Sequence, residues 1–149
     1  MGDIKGYDPS AHGWRALTGA ALPGGLGVPW ARKVDNAWRY GLLTTPGHAN
    51  PNGVVHGGVL MAFADHGLSF LAWEAAQRTP CTTIQLNTHF LAGVRPGAFL
   101  ELRGEVTRRT RGLVFLRGLA SAHEPGDAAS DDINDVFAVD GIWRVLRMR

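Results

Sequence analysis

The sequence predicts an α+β protein in which one antiparallel β-sheet curls around a single long helix. Three observations carry this. Val59 to Trp73 is one apolar run interrupted by a carboxylate at Asp65. Everything after it breaks into short alternating stretches separated by turn residues. The 149 residues suffice for one domain with a proper core and are too few for two ordinary ones.

Taken in order, residues 1–35 are expected to be an irregular segment. A short helix is expected around Pro9 to Leu17, where Ala11, Trp14 and Leu17 fall at near-helical spacing. The glycine- and proline-rich stretch from Gly19 to Pro29 breaks regular structure. It has no Lys-Ser/Thr pair behind it and no strand-to-helix context, so it is read as a loop and not as a phosphate cradle. Residues 36–149 form the single domain. Its elements are a strand from Asn36 to Thr45, the helix from Gly57 to about Gln77, and four strands joined mainly by hairpins. Those strands are Cys81 to Leu91, alternating around Ile84, Leu86 and Thr88; Phe99 to Thr107; Leu113 to Ala120; and Val136 to Met148. In the second, Leu100, Leu102, Gly104 and Val106 share one face, and Glu101, Arg103 and Glu105 share a solvated one. Ser121 to Asp135 reads as an acidic loop.

Composition narrows the function classes. A formal net charge of +2, with no basic stripe interleaved with aromatics, does not argue for nucleic acid. One cysteine, Cys81, excludes an intramolecular disulfide and suits a reducing compartment. The N-terminus lacks the pattern of a signal peptide. The apolar run is too short and too broken for a membrane span. The expectation is a cytoplasmic protein that does not act on membranes.

The chemistry gathers at the start of the helix and in its middle. A helix that is apolar all round belongs inside a protein, and burying an unpaired carboxylate costs several kcal/mol or raises its pKa. Asp65 therefore needs a reason. It serves as general base or nucleophile toward a carbonyl, or it is structural, bonded to backbone or to Ser69 one turn on along the same face. Gly57 and Gly58 offer nothing that obstructs a ligand, and amides at a helix start are unpaired donors suited to a developing oxyanion. Taken alone, the glycines are better read as only letting the chain turn tightly into the helix. Eight positions along a helix at about 1.5 Å each separate Gly57 from Asp65 by roughly 12 Å. One substrate carbonyl cannot touch both in one chain. If the two cooperate, they come from antiparallel helices of two subunits, in a two-fold dimer with two shared sites.

The pattern Asn50-x-x-Gly53-x-x-His56-Gly57-Gly58, followed by Asp65 in an apolar helix, closely resembles hotdog-fold acyl-CoA thioesterases of the phenylacetate-pathway type. Thr83 to Leu91, then Arg95-Pro96-Gly97, resembles that family's next strand and turn, and the likeness runs from about Asn36 to Ala122. The resemblance implies a hotdog fold and hydrolysis of an acyl-CoA by a homodimer or a dimer of dimers, with no metal or other cofactor. It implies that Asp65 is the catalytic carboxylate and that the Gly57 amide polarises the thioester carbonyl. Asn50 and His56 would shape the carbonyl site, and Thr83 would help to hold the attacking water. Asn52 competes with Asn50, although the spacing favours Asn50. Gly58 and Ser69 are taken to line the substrate. Arg108, Arg109 and Arg111 are candidates for the coenzyme A phosphates, against the plainer reading of a charged hairpin tip.

Other candidates rank lower. His66 points about 100° away from Asp65 around the helix. His48, His56 and His89 lack metal-ligand spacing. Cys81 is better read as a small core residue than as a nucleophile. Phe63, Phe70, Trp73, Trp14 and Trp30 serve equally well as core or as walls of an aryl pocket. Two competing functions stay open: an acyl-CoA binding or sensing protein without turnover, and, ranked lower, a hotdog enoyl-CoA hydratase/dehydratase.

Overall fold

A computed structural model describes residues 6–125 and 134–147. One α-helix, α1 (Gly57–Ala75), packs on a seven-stranded sheet made of β1 (Arg15–Ala16), β2 (Trp30–Val34), β3 (Ala37–Leu43), β4 (Cys81–Phe90), β5 (Phe99–Arg109), β6 (Leu113–His123) and β7 (Asn134–Val145). The spatial order is β1-β2-β3-β5-β6-β7-β4, with every pair antiparallel. Among the described residues no helix is long and apolar enough to cross a membrane.

The helix buries Val59, Leu60, Phe63, Ala64, Gly67, Leu68 and Ala72 against the sheet. This is a stripe at helical spacing rather than the whole circumference. The backbones approach closely because the contact positions lack side chains. A Cβ on Gly67 would lie 2.6 Å from Leu102 Cδ2, and one on Gly104 would lie 2.6 Å from Leu71 Cδ1 and 2.7 Å from Leu68 Cδ2. The opposite flank, including Met61, Asp65 and Ser69, is only partly covered.

Four expectations from the sequence change here. First, Trp30–Val34 belongs to the sheet, paired along its length with Ala37–Leu43; the irregular reading through residue 35 treated its glycine-rich neighbourhood as its own character. The predicted Pro9–Leu17 helix shrinks to one 3-10 turn, Pro9–His12, closed by Gly13 at φ 79°. Second, β4 and β5 are not a hairpin. β4 occupies the sheet edge beside β7, so residues 91–98 cross beneath the start of α1, where the Val55 amide donates to the Val94 carbonyl. Third, β6 runs to His123 and β7 starts at Asn134; the remainder of the predicted acidic loop, 126–133, lies outside the described residues.

Fourth, Glu101 is not solvated: its side chain is 1% exposed. It lies on the sheet face turned away from α1, where the N-terminal segment folds over it. Tyr7 stacks between His12, Phe99 and His123, and Trp14 packs edge-on against Phe99. Arg32 Nη2 reaches Glu101 Oε2 at 3.2 Å, Arg39 binds Oε1, and His123 Nε2 lies 3.0 Å from Oε2. The cluster ties β2, β3, β5 and β6 together. Burial alone would raise the Glu101 carboxyl. The hydrogen bonds of His123 and Arg39 and the charges of Arg32 and Arg39 outweigh it and hold the carboxyl at about 2, against an ordinary 4.5.

A depressed carboxyl stabilises the fold above its unfolded value and loses that contribution as pH falls. The Glu101 contribution, about 3 kcal/mol, should be intact above pH 4.5, decline from there toward pH 2, and be gone below. Urea unfolding of wild type and Glu101→Gln across that window measures it. The variant should be destabilised at neutral pH and lack this part of the acid slope.

Candidate active site

The turn before α1 is built by Asn50. Its Oδ1 accepts the amides of Asn52 at 2.9 Å and Val54 at 3.3 Å, and its own amide donates to the Val54 carbonyl. With Oδ1 engaged in this Asx-type turn, the Nδ2 donors remain for a ligand. Asn52 is exposed on the turn. His56 is the N-cap of α1, with extended backbone (φ −61°, ψ 134°), and its Nδ1 accepts the Gly58 amide at 2.9 Å. An accepting Nδ1 leaves the ring proton on Nε2. The cap therefore consumes the Gly58 N–H, and among the described residues the Gly57 N–H meets no acceptor.

Asn50 and Gly57 line one cleft of 470 Å³ with Val54, Val55, Leu60, Phe90 and the crossing segment from Leu91 to Val94. Its walls are apolar apart from Asn50 and the helix amide. The Phe90 ring lies directly against Gly57, where a Cβ would stand 2.9 Å from Phe90 Cε1. Phe90 was read in the sequence only as one more residue of an alternating strand.

Asp65 is half-buried on the flank of α1 that faces the edge strand. Thr83 Oγ1 donates to Asp65 Oδ1 at 2.6 Å. A bulge in β4 makes this contact. Thr83 pairs with Trp143 and Gln85 with Ile142, leaving Ile84 as the extra residue. Bulges re-aim side chains and frequently sit beside active sites. Cys81 and Thr83 face the helix before it, and Leu86, Thr88 and Phe90 face the helix after it. The alternation expected to run through Ile84 and Leu86 on one face is thus broken, and Ile84 is 50% exposed. Ser69, one turn after Asp65, accepts the indole N–H of Trp143 at 2.9 Å.

The remaining candidates divide. His66 lies against Phe70 and within 3.1 Å of the Ala20 carbonyl, away from Asp65. His48 Nδ1 accepts the Thr45 amide, and His89 lines a groove with Arg103 and Asp140 on the far sheet face. His48 and His56 are joined by a backbone hydrogen bond, but their Nδ1 atoms are engaged by the Thr45 and Gly58 amides, and no metal-binding cluster occurs among the described residues. Burial pushes the Cys81 thiol up despite the charge of Arg109, and its Sγ donates to the Thr79 carbonyl. Arg108, Arg109 and Arg111 are exposed at the β5–β6 turn. The register carries Arg109, Val114, Trp143 and Thr83 in one row across four strands, so this turn lies at the Asp65 end of the sheet. Trp14 packs on the outer face and Phe63 in the core, outside the cleft.

This fold is shared with known structures. A hexameric broad specificity acyl-coenzyme A thioesterase superposes with a TM-score of 0.67 at 18% identity, over 72% of this chain and 77% of that one. A phenylacetic acid degradation-related protein from Ralstonia eutropha JMP134 gives 0.64 at 26% identity, over 77% and 83%. A hexameric hotdog fold thioesterase of Campylobacter jejuni gives 0.66 at 16% identity, over 72% and 80%. No curated protein matches the chain. One helix laid on a seven-stranded antiparallel sheet is thus the hotdog fold. The thioesterase superfamily model matches residues 52–129, over half of the chain, and the chain belongs to that superfamily.

The contact of Phe90 with Gly57 predicts a coupled pair. Gly57→Ala in the wild-type background should cost about 1 kcal/mol, because the half-exposed ring must swing aside. In a Phe90→Ala background the same change should cost nothing, giving non-additive shifts in thermal unfolding.

Proposed function

We propose that the protein hydrolyses an acyl-CoA thioester to the free acid and coenzyme A at sites shared by two subunits. The observation that carries this reading is the pairing of Asp65 with Thr83. The Thr83 hydroxyl occupies Oδ1 and orients the carboxylate, leaving Oδ2 for chemistry. Oδ2 takes the proton of a water that attacks the carbonyl carbon, or attacks that carbon itself. The Gly57 amide and Asn50 Nδ2 receive the negative charge that develops on the carbonyl oxygen. The carbon–sulfur bond then breaks, and the thiolate of coenzyme A leaves and takes up the proton that Asp65 removed from water. On the nucleophilic route the thiolate is protonated by solvent, and water hydrolyses the acyl-Asp65 anhydride to the free acid and restores the carboxylate. Membership of the thioesterase superfamily and the acyl-coenzyme A activity of one structural neighbour support this substrate class.

Two features support the shared site. The roughly 12 Å of helix between Gly57 and Asp65 keeps them apart within one chain. In addition, among the described residues β4 is a sheet edge with Ile84 50% and Phe90 54% exposed, followed at once by Leu91, 54% exposed, and an uncovered apolar edge is a strand awaiting a partner. A two-fold axis beside β4 sets the two helices antiparallel and brings Gly57 of each chain toward Asp65 of the other. The dimer is the functional unit, alone or within a dimer of dimers. Arg108, Arg109 and Arg111, at the Asp65 end of the sheet, are the cations available to the coenzyme A phosphates. The dehydratase alternative needs a histidine base, and the His56 Nδ1 lone pair is already spent on the Gly58 amide.

Asp65→Asn should leave thermal unfolding near wild type and lower kcat/KM by about 10²- to 10⁴-fold in a thiol-release assay over short, medium, long and aromatic acyl-CoAs. Wild-type turnover by the variant would sink the assignment. Tight coenzyme A binding without thiol release by the wild type would instead favour a binding protein.

Subunit mixing tests the sharing. Gly57→Pro deletes the amide donor at the first helical position, where the backbone suits proline after the extended His56, and the Phe90 ring swings aside as it does for Gly57→Ala. Mixed and reassembled with Asp65→Asn, it should restore about a quarter of wild-type activity, since half the dimers are mixed and each has one intact site. Failure to regain any activity, with mixed dimers present, would place both groups in one chain.

A further inference from the structure

Trp143 is fully buried, with 0% exposure, and its indole N–H needs an acceptor. It finds the Ser69 hydroxyl at 2.9 Å. The strand makes room for this ring: a Cβ on Gly141, two residues earlier on the same face, would meet Trp143 Cη2 and Cζ3 at 2.8 Å. Trp143 is also the cross-strand partner of Thr83. Two adjacent residues of the sheet thus reach two successive turns of one helix flank, Thr83 to Asp65 and Trp143 to Ser69.

The two hydroxyls are used in opposite senses. Thr83 donates to the carboxylate, whereas Ser69 accepts. A serine hydroxyl has one donor and two acceptor sites. A mid-helix serine left to itself turns its hydroxyl back to the carbonyl four residues earlier, here that of Asp65. The indole N–H fills one of the Ser69 lone pairs, and among the described residues the serine hydroxyl donates to no acceptor, so its hydrogen remains available on the flank that carries Asp65.

We infer that Trp143 is a positioning residue for the thioester reaction. It fixes Ser69 so that the serine hydroxyl donates to the water or carbonyl handled by Asp65. This inference rests on the assignment of Asp65 as the reacting carboxylate.

Trp143→Phe keeps an aromatic ring in the core but deletes the indole N–H together with the volume of the pyrrole ring. It should lower kcat about tenfold with KM within about twofold. Ser69→Ala should do the same, and the double variant should lose no more than either single one. Ser69→Ala leaves a buried N–H without an acceptor and should lower the thermal midpoint. Trp143→Phe removes that N–H but leaves a cavity, so it should lower the midpoint on its own account, and the two stability losses should be less than additive. A purely structural tryptophan would lower the midpoint without lowering kcat. Unchanged kcat in Trp143→Phe, or multiplicative losses in the double variant, would overturn the inference while leaving the Asp65 assignment standing. Absence of thiol release by the wild type on every acyl-CoA would overturn both. The indole N–H proton resonance that vanishes in Trp143→Phe should shift in Ser69→Ala whatever the activity.

Discussion

A single inserted residue in the edge strand governs what the helix can do. In a regular strand, alternation is strict, and a slip of one residue turns every later side chain to the other face. The bulge at Ile84 lets β4 present Cys81 and Thr83 inward at one end and Leu86, Thr88 and Phe90 inward at the other. An unbroken β4 could supply the apolar residues that pack beneath the helix start, or the hydroxyl that pairs with Asp65, but not both. The carboxylate on an otherwise apolar helix is tolerable because this irregularity gives it a donor at 2.6 Å.

Much of this fold was legible because it follows from period. The stripe Val59, Leu60, Phe63, Ala64, Leu68 and Ala72 reads as a buried helix from spacing alone, and β3, β5, β6 and β7 lie close to the predicted stretches. Failures cluster where a long-range contact overrides a local pattern. Glu101 sits in a faultless polar alternation with Arg103 and Glu105, and nothing local reveals that Tyr7, Trp14 and Arg32, some seventy to ninety residues earlier, cover it. Ile84 was assigned inward because alternation has no means of announcing a bulge. The β4–β5 connection contains a turn-like Arg95-Pro96-Gly97, which says that the chain bends and not which strand it then joins.

The site divides in the same way. Asn50, His56 and Gly57 are near neighbours in the chain, and a local turn with a helix cap brings them together, so a sequence pattern captures them. Asp65 was visible as a violation of hydrophobicity. Thr83 entered only through family resemblance, since the predicted alternation put it on the wrong face. Trp143 and Phe90 carried no signal at all: aromatic residues in strands are expected to be core, and their contacts with Ser69 and Gly57 depend on strand order.

The surfaces that one chain leaves incomplete coincide. The helix flank bearing Asp65 and Ser69 is its less covered side, and it lies over β4, an edge strand that has no neighbour on its outer side among the described residues. The opposite sheet face, by contrast, is closed over β3 and β5 by the N-terminal segment and the Glu101 cluster. If solubility alone had shaped the chain, the exposed edge would carry lysine, proline or a short strand; instead it carries Ile84, Phe90 and Leu91. Apolar groups left on an edge, next to a carboxylate whose second oxygen is uncommitted and some 12 Å from the amide it would work with, have one economical explanation. Under the proposed function, the polar and apolar gaps would be filled by the same event, the arrival of a second copy whose helix start brings the missing amide.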